Sequence, residues 1–122
     1  MIGYVTLGTN DIPRAAKFYD TLLGALGAKR FMESDRFIAW MVSPDKPGIG
    51  IAKPFDGAPA SIGNGCMTAL AVKEPKEVDR IHALAMSLGS KDEGAPGPRG
   101  DAFYAGYFRD LDGNKLNVFC MR

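Results

Sequence analysis

The chain has 122 residues, of which 46% are hydrophobic and 24% charged, and its formal net charge is +1. These values are typical of one soluble globular domain, and the scattered basic residues exclude a nucleic-acid stripe or a polybasic membrane patch. No apolar run reaches the roughly 18 residues of a membrane-spanning helix, and the first residues, MIGYVTLGTND, do not resemble a signal peptide. With only two cysteines, we expect a cytoplasmic protein with reduced thiols.

The first half of the chain predicts a strand, a helix and three further strands. Residues 2–8 alternate in character like a strand. Asn10 and Asp11 can cap a helix whose first turn holds Pro13, and Gly27 is placed to end it. The period of the apolar pattern then changes from 3.6 to 2, which predicts strands over 28–33, 36–42 and 48–54.

The second half repeats this order after a linker predicted over 55–65. A strand over 66–72 precedes a helix with Pro75 in its first turn and Gly89 at its end. Strands follow over 90–93, 102–110 and 115–121. Between the first two of these, the segment GAPGPRG (94–100) reads as a loop long enough to act as a flap.

A shift of 62 residues aligns the two halves without a gap. It places Thr6 on Thr68, Pro13 on Pro75 and Gly27 on Gly89. The chain is therefore predicted to be one α+β domain over 1–122, made of two tandem βαβββ modules (1–58 and 62–122). Two such modules can form a curled mixed sheet with the helices outside and a concave cavity inside, and a cavity is the default ligand site.

Two segments, YVTLGTNDIPRAAKFYDTLLGALGAKR (4–30) and YFRDLDGNKLNVF (107–119), resemble the vicinal oxygen chelate superfamily. That superfamily contains glyoxalase I, bleomycin-resistance proteins and extradiol dioxygenases. The first segment is similar to its opening strand and helix. The second is similar to its final turn, usually Asp-Pro-Asp-Gly-Asn, with Leu111 in place of the proline. The resemblance implies the fold, but one fold hosts several chemistries.

The resemblance also implies one divalent metal ion, held by His or Glu side chains on the first and last strands of each half. Here Tyr4 stands at the first His position, and Cys66 (or Met67, after a slip of one residue) at the second. Asn117 replaces the Glu of the last strand, and residues 50–53 offer no carboxylate or imidazole. A catalytic metal site wants about three suitable ligands. We therefore predict neither a metal nor another cofactor.

The ligand-binding face is predicted from the two-residue period of strands, and on the strand of residues 102–110 from the resemblance. Its predicted members are Tyr4, Thr6, Trp40, Cys66, Phe103, Tyr107, Arg109 and Asn117. Thr68 and Leu70 are expected to share the face of Cys66, and Phe119 that of Asn117. These aromatic residues either line a pocket or fill the curl of the sheet, and we favour the pocket.

Three polar or nucleophilic residues receive structural interpretations. His82, the only histidine, lies beside the apolar stripe of its helix and is expected to be a partly exposed surface residue. Cys66 is expected to be a small core residue in preference to a nucleophile, because no base stands near it. Cys120 alternates with Leu116 and Val118, and all three should face the helices.

Two functional hypotheses from different classes follow. In the first, a metal-free member of the superfamily binds a small aromatic or hydrophobic molecule in the cavity, as the resemblance to bleomycin-resistance proteins implies. The alternative is a glyoxalase-like lyase or isomerase, or a dioxygenase relative, acting on a small carbonyl compound or thiol adduct. It would work without a metal through Tyr4, Tyr107 and Arg109. A third possibility is an interaction role with a vestigial cavity. The resemblance further implies a homodimer, and we expect no nucleic-acid or membrane partner.

Overall fold

The structure, a computed structural model, describes all residues from Met1 to Arg122 and divides into two compact units, Met1–Ile62 and Gly63–Arg122. The first unit contains β1 (Tyr4–Gly8), α1 (Ile12–Gly24), β2 (Lys29–Glu33), β3 (Phe37–Met41) and β4 (Gly48–Ala52). Its sheet has the order β1-β4-β3-β2, with β1 parallel to β4 and the other pairs antiparallel.

The second unit has the same plan. It contains β5 (Thr68–Ala71), α2 (Pro75–Ser87), β6 (Lys91–Pro98), β7 (Phe103–Arg109) and β8 (Lys115–Met121). The sheet order is β5-β8-β7-β6, and β5 and β8 are the parallel pair. The predicted α+β class and the two βαβββ modules are confirmed. Both helices have 13 residues, and no helix is long and apolar enough to cross a membrane.

Each helix packs on one face of the sheet in its own unit. In the first unit Tyr19 and Leu22 of α1 and Trp40 and Ile51 of the sheet are almost completely buried. The second unit buries Val78 and Ile81 of α2 against Phe108, Leu116 and Val118, with Cys120 beside them. The prediction that Leu116, Val118 and Cys120 face the helix is therefore confirmed. We call the sheet face opposite the helix the open face of that unit.

The gapless repeat of 62 residues is wrong by one residue over the first strand and helix of each unit. The two helices begin and end 63 residues apart. Val5 pairs with Ile49 in the first sheet. Its equivalent in the second sheet is Thr68, 63 residues further on, which pairs with Leu116 on the helix face. The spacing returns to 62 at Gly27 and Gly89, because three turn residues follow α1 and only two follow α2. Both glycines have positive φ, as their predicted role at a helix end requires.

This shift changes which side chains of β5 reach the open face. A displacement of one residue turns every side chain of a strand to the other face. Thr68 and Leu70 therefore point towards α2, and the expectation that they share a ligand-binding face is wrong. Ala69 and Ala71 take their place, since they pair with Asn117 and Phe119.

The predicted flap over 94–100 is mostly strand. β6 continues to Pro98, paired with β7, and two irregularities interrupt its register between Asp92 and Gly97. The strand tolerates Pro96 because β6 lies at the edge of the sheet and proline is accepted at edges and bulges. The pattern of glycine and proline resembles a loop, but here it marks a bulged edge strand.

His82 is buried, and the expectation of a surface histidine is wrong. The residue is 6% exposed, and its ring and that of Phe108 make an edge contact at 6.2 Å between centroids. Nε2 lies 3.1 Å from Asp92 Oδ1 and 3.2 Å from the Tyr107 carbonyl oxygen. Since both partners accept, Nε2 carries the proton. Together with the Gly94 N–H, which contributes most, His82 holds the pKa of Asp92 below its ordinary value.

The two helix starts provide a matched test of capping. Asp11 accepts a hydrogen bond from the Arg14 N–H, whereas Glu74 at the start of α2 makes no such side-chain bond. We predict that Asp11→Ala lowers the free energy of unfolding by about 1 kcal/mol, because an N–H at the start of α1 loses its partner. Glu74→Ala should cost less than half as much. Urea unfolding followed by circular dichroism measures both, and equal losses would contradict this assignment.

Candidate functional site

The open face of the second sheet gathers four of the predicted ligand-binding residues. Tyr107 and Asn117 are directly opposite on β7 and β8. Phe103 and Arg109 share the face because they lie four and two residues from Tyr107 along the same strand. Phe119, opposite Ala105, completes the face on β8. The expectation that these side chains share one face is confirmed.

An aromatic platform occupies one end of this face. The rings of Phe103 and Phe119 are stacked, with centroids 5.1 Å apart and planes inclined by 14°. Both side chains are partly exposed, whereas Ala105 between them is completely buried. A planar apolar ligand gains dispersion and apolar burial from such a surface.

Asn117 lies next to this platform with an unsatisfied acceptor. The residue is 1% exposed, and its Oδ1 has no hydrogen-bond partner. A buried acceptor without a partner costs about 1–3 kcal/mol relative to a satisfied one. Such an atom in a sheet face that also carries exposed aromatic rings is a candidate contact for an N–H or O–H group of a ligand.

Cationic side chains occupy the other end of the face. Lys91, Arg109 and Lys115 are neighbours across β6, β7 and β8. Arg109 Nε donates to Glu93 Oε1 at 2.5 Å, and its Nη1 donates to the Gly113 carbonyl at 3.1 Å. Arg109, and to a smaller extent Lys91 and Lys115, hold the pKa of Glu93 below its ordinary value.

Arg99 adds a fourth cation over the ring of Tyr107. Its guanidinium carbon lies 5.5 Å from the ring centroid, and Lys115 Nζ lies 5.5 Å from the same centroid. Arg99 also donates to the carbonyl oxygens of Ala95, Gly97 and Pro98. A Cβ at Gly94 or Gly97 would stand 3.3 Å from its terminal nitrogens, so the bare backbone of β6 gives the guanidinium room.

Sequence reasoning missed three of these cations. The two-residue period could have added Lys115, which lies two residues before Asn117 on the same strand. Lys91 could have been found only from the cross-strand register. Arg99 gave no signal, because the segment that contains it reads as a loop and its position depends on Gly94 and Gly97 of β6.

The open face of the first sheet carries two other predicted residues. Tyr4 and Thr6 are both exposed, and the Tyr4 ring meets the edge of Phe37 at 6.2 Å. Phe37 lies across Gly50, where an added Cβ would stand 2.7 Å from its ring carbons. This face therefore combines a phenol, a hydroxyl and an aromatic ring with a glycine floor.

Trp40 and Cys66 do not lie where the sequence places them. Trp40 pairs with Ile49 on the helix face of its sheet, where it is 1% exposed and donates from Nε1 to Asp20 Oδ1 at 2.8 Å. It is a core residue under α1, and its expected role as a wall of the face with Tyr4 is wrong. Cys66 is an exposed free thiol in a turn before β5, where its N–H donates to the Gly63 carbonyl, so it is neither a core residue nor a strand residue.

A shallow groove of about 560 Å³ lies elsewhere on the first unit, beside α1. Its walls are formed by Ile12, Pro13, Ala16, Lys17, Asp20, Thr21, Arg30 and Ile38. It contains none of the predicted ligand-binding residues. Asp20 and Arg30 in its wall form a bidentate ion pair, with Asp20 also holding Trp40.

The side chains present do not fit a catalytic divalent cation. No group of three or more His, Cys, Asp or Glu side chains is placed to hold one. At the positions where the resemblance implies ligands, the chain has Tyr4, Met67 (63 residues beyond Tyr4) and Asn117. A phenol, a thioether and a neutral amide are a poor ligand set for Zn²⁺, Ni²⁺ or Fe²⁺.

Comparison with known proteins gives a consistent result. The family model described as the Glyoxalase/Bleomycin resistance protein/Dioxygenase superfamily matches residues 1–118. A glyoxalase/bleomycin resistance protein from Albidiferax ferrireducens T118 has a structure with TM-score 0.89 and 36% identity, and the match covers 98% of each chain. No protein among those with curated descriptions matches the chain.

Two more distant structures support the fold alone. A glyoxalase/bleomycin resistance protein/dioxygenase family enzyme from Burkholderia phytofirmans PsJN has TM-score 0.79 and 18% identity, with 98% of each chain covered. A lactoylglutathione lyase from Agrobacterium tumefaciens has TM-score 0.74 and 17% identity, covering 98% of this chain and 92% of its own.

The unsatisfied amide oxygen of Asn117 leads to a prediction about the stability of the fold. Asn117→Leu should raise the free energy of unfolding of the ligand-free chain by about 1–2 kcal/mol, because it replaces a buried acceptor without a partner by an apolar side chain of similar size. Urea unfolding tests this. Asn114→Leu is the matched control and should destabilise, since the Asn114 amide donates to Asp110 Oδ2 at 3.0 Å. A loss of stability in Asn117→Leu would contradict the assignment.

The hydrogen bonds that Asp20 accepts from Arg30 and Trp40 predict a loss of stability in acid. Arg30, the main cause, and Trp40 hold the pKa of Asp20 below its ordinary value. The ionised carboxylate therefore stabilises the folded chain above about pH 4, and this contribution is lost as the pH falls through the lowered value. Asp20→Asn should flatten the decline of stability between about pH 5 and pH 2 in urea titrations followed by Trp40 emission.

Asp35→Asn is the control for this titration. Asp35 lies exposed in the turn between β2 and β3, and its replacement removes the same charge as Asp20→Asn without breaking an ion pair. If the chain with Asp20→Asn and the unmodified chain lose the same stability on acidification, Asp20 does not have the assigned role.

Proposed function

Because the chain belongs to the glyoxalase/bleomycin resistance protein/dioxygenase superfamily, we propose that it binds a small aromatic or hydrophobic molecule without a metal ion. The site is the open face of the second sheet. The observation that carries this proposal is the stacked pair of Phe103 and Phe119 beside the unpartnered Oδ1 of Asn117. An apolar platform with one or two placed polar groups is the usual composition of a small-molecule site.

The donor set supports binding without a metal. Asn117 stands at the Glu position of the final Asp-Gly-Asn motif, and a neutral amide contributes little to binding of a divalent transition metal. The same amide accepts a hydrogen bond from a neutral ligand well, because its oxygen has no competing partner.

A glyoxalase-like lyase or isomerase has less support from this face. Arg109, the residue that would stabilise an enolate-like charge, is engaged by Glu93 and by the Gly113 carbonyl. Its charge is therefore already compensated before any substrate arrives. Tyr107 remains on the face, but no histidine or unpaired carboxylate stands beside it as a base: His82 lies on the helix face.

The proposal includes a cytoplasmic homodimer. Several large apolar side chains of the first unit are exposed and are available for contact with another chain. They are Ile2, Tyr4, Phe31, Met32 and Val42. A second copy of the chain would remove them from water.

Binding of a neutral aromatic amide tests the proposed function. N-benzoylglycinamide should bind in saturation-transfer NMR and calorimetry, and Phe119→Ala should weaken its binding about tenfold because half of the aromatic platform is lost. Phe55→Ala is the matched control, since Phe55 is fully exposed outside both sheets and its loss should change nothing. No binding, or equal binding by both variants, would refute the proposal.

A further inference from the structure

We infer that the ligand of this face is an aromatic acid with an N–H or O–H group between its ring and its anionic group. This inference rests on the proposed function and names the class of ligand. It follows from the order of three kinds of side chain along β8: the cation Lys115, the amide Asn117 and the aromatic ring Phe119. Residues two apart on a strand are roughly 7 Å apart and point the same way.

The neighbouring strand has its cation at the same end, and the ring of Phe103 at the other end stacks on Phe119. Arg109 is opposite Lys115, Tyr107 is opposite Asn117, and Ala105, beside the Phe103 ring, is opposite Phe119. The chemical character of the face therefore changes along the strands, from positively charged side chains at one end to aromatic rings at the other. A ligand that matches it has its ring and its charge at opposite ends.

The charge balance at the cationic end favours an anion. Lys91, Arg109 and Lys115 are neighbours there, and Arg99 lies over the ring of Tyr107, the next residue of this face on β7. Glu93 is a carboxylate at this end, and Arg109 donates to it directly. The guanidinium of Arg99 donates to backbone carbonyls, which are neutral, so its charge is uncompensated by that contact. A carboxylate would lower this excess of positive charge.

The middle position needs a donor on the ligand. Asn117 Oδ1 is buried and without a partner, so an N–H or O–H reaching it satisfies an acceptor that water does not reach. A ligand with only an acceptor at this point leaves Oδ1 without a partner, so the free-energy cost of burying it remains. Lys115, two residues before Asn117 on β8, lies over the Tyr107 ring that is opposite Asn117.

N-benzoylglycine has the three groups in this order and is the probe. Calorimetry on the full chain compares it with N-benzoylglycinamide, which lacks the charge, and with O-benzoylglycolate, in which an ester oxygen replaces the N–H. We expect N-benzoylglycine to bind about tenfold more tightly than either compound at low salt. High salt should reduce the difference in affinity between the acid and the amide, because exposed charges are screened. It should leave the difference between the acid and the ester unchanged.

Two variants assign each preference to its residue. Lys115→Gln should reduce the preference for the carboxylate, whereas Lys76→Gln on the exposed side of α2 removes the same charge and should preserve it. Asn117→Leu should remove the preference for N–H over ester while leaving the preference for the carboxylate.

The outcomes separate this inference from the proposed function. If the amide, the ester and the acid bind equally well, or if Lys115→Gln and Lys76→Gln behave alike, the aromatic acid is not the ligand class and the aromatic binding site still stands. If none of the three compounds binds, both the inference and the proposed function are overturned.

Discussion

One helix covers one face of a four-stranded sheet, and the chemistry of each unit depends on the face that the helix leaves open. The alternation of side chains along a strand decides which residues reach that face. In the second unit, alternation sends Phe108, Leu116 and Val118 under α2 and Tyr107, Asn117 and Phe119 to the opposite side. The same two strands, β7 and β8, thus supply both the buried core and a chemically varied surface.

Alternation also explains where sequence reasoning succeeded and where it failed. On β8 the alternating apolar residues place Asn117 and Phe119 on one face, and on β7 it was the resemblance to the superfamily that placed Phe103, Tyr107 and Arg109 with them. The short β5 has alanine, threonine and leucine, which alternate weakly, and the register there had to come from the repeat. An extra turn residue after α1 shifted that register by one and exchanged Thr68 for Ala69.

The other wrong predictions concern residues whose positions depend on contacts that the local sequence pattern does not encode. Trp40 sits in a continuous apolar strand, where period alone does not say which face is covered, and its bond to Asp20 is a contact across 20 residues. His82 is buried because Asp92 and the Tyr107 carbonyl satisfy its ring, and these partners are tertiary. Cys66 fell outside β5 because Gly63 and Gly65 form a turn before the strand begins.

The open face of the second sheet combines a stability cost with a functional use. The chain keeps an unsatisfied amide at Asn117, several cations around Arg109 and the Tyr107 ring, and partly exposed phenylalanine rings, each of which a stability-optimised sheet would avoid. One ligand can relieve all three. The most direct measurement is a ¹H–¹⁵N NMR titration with N-benzoylglycine. The account predicts shifts of the Asn117 side-chain amide and of the Tyr107 and Phe119 backbone amides, with the Trp40 indole N–H unmoved. Shifts centred on the Trp40 indole and α1, or no shifts at all, would contradict it.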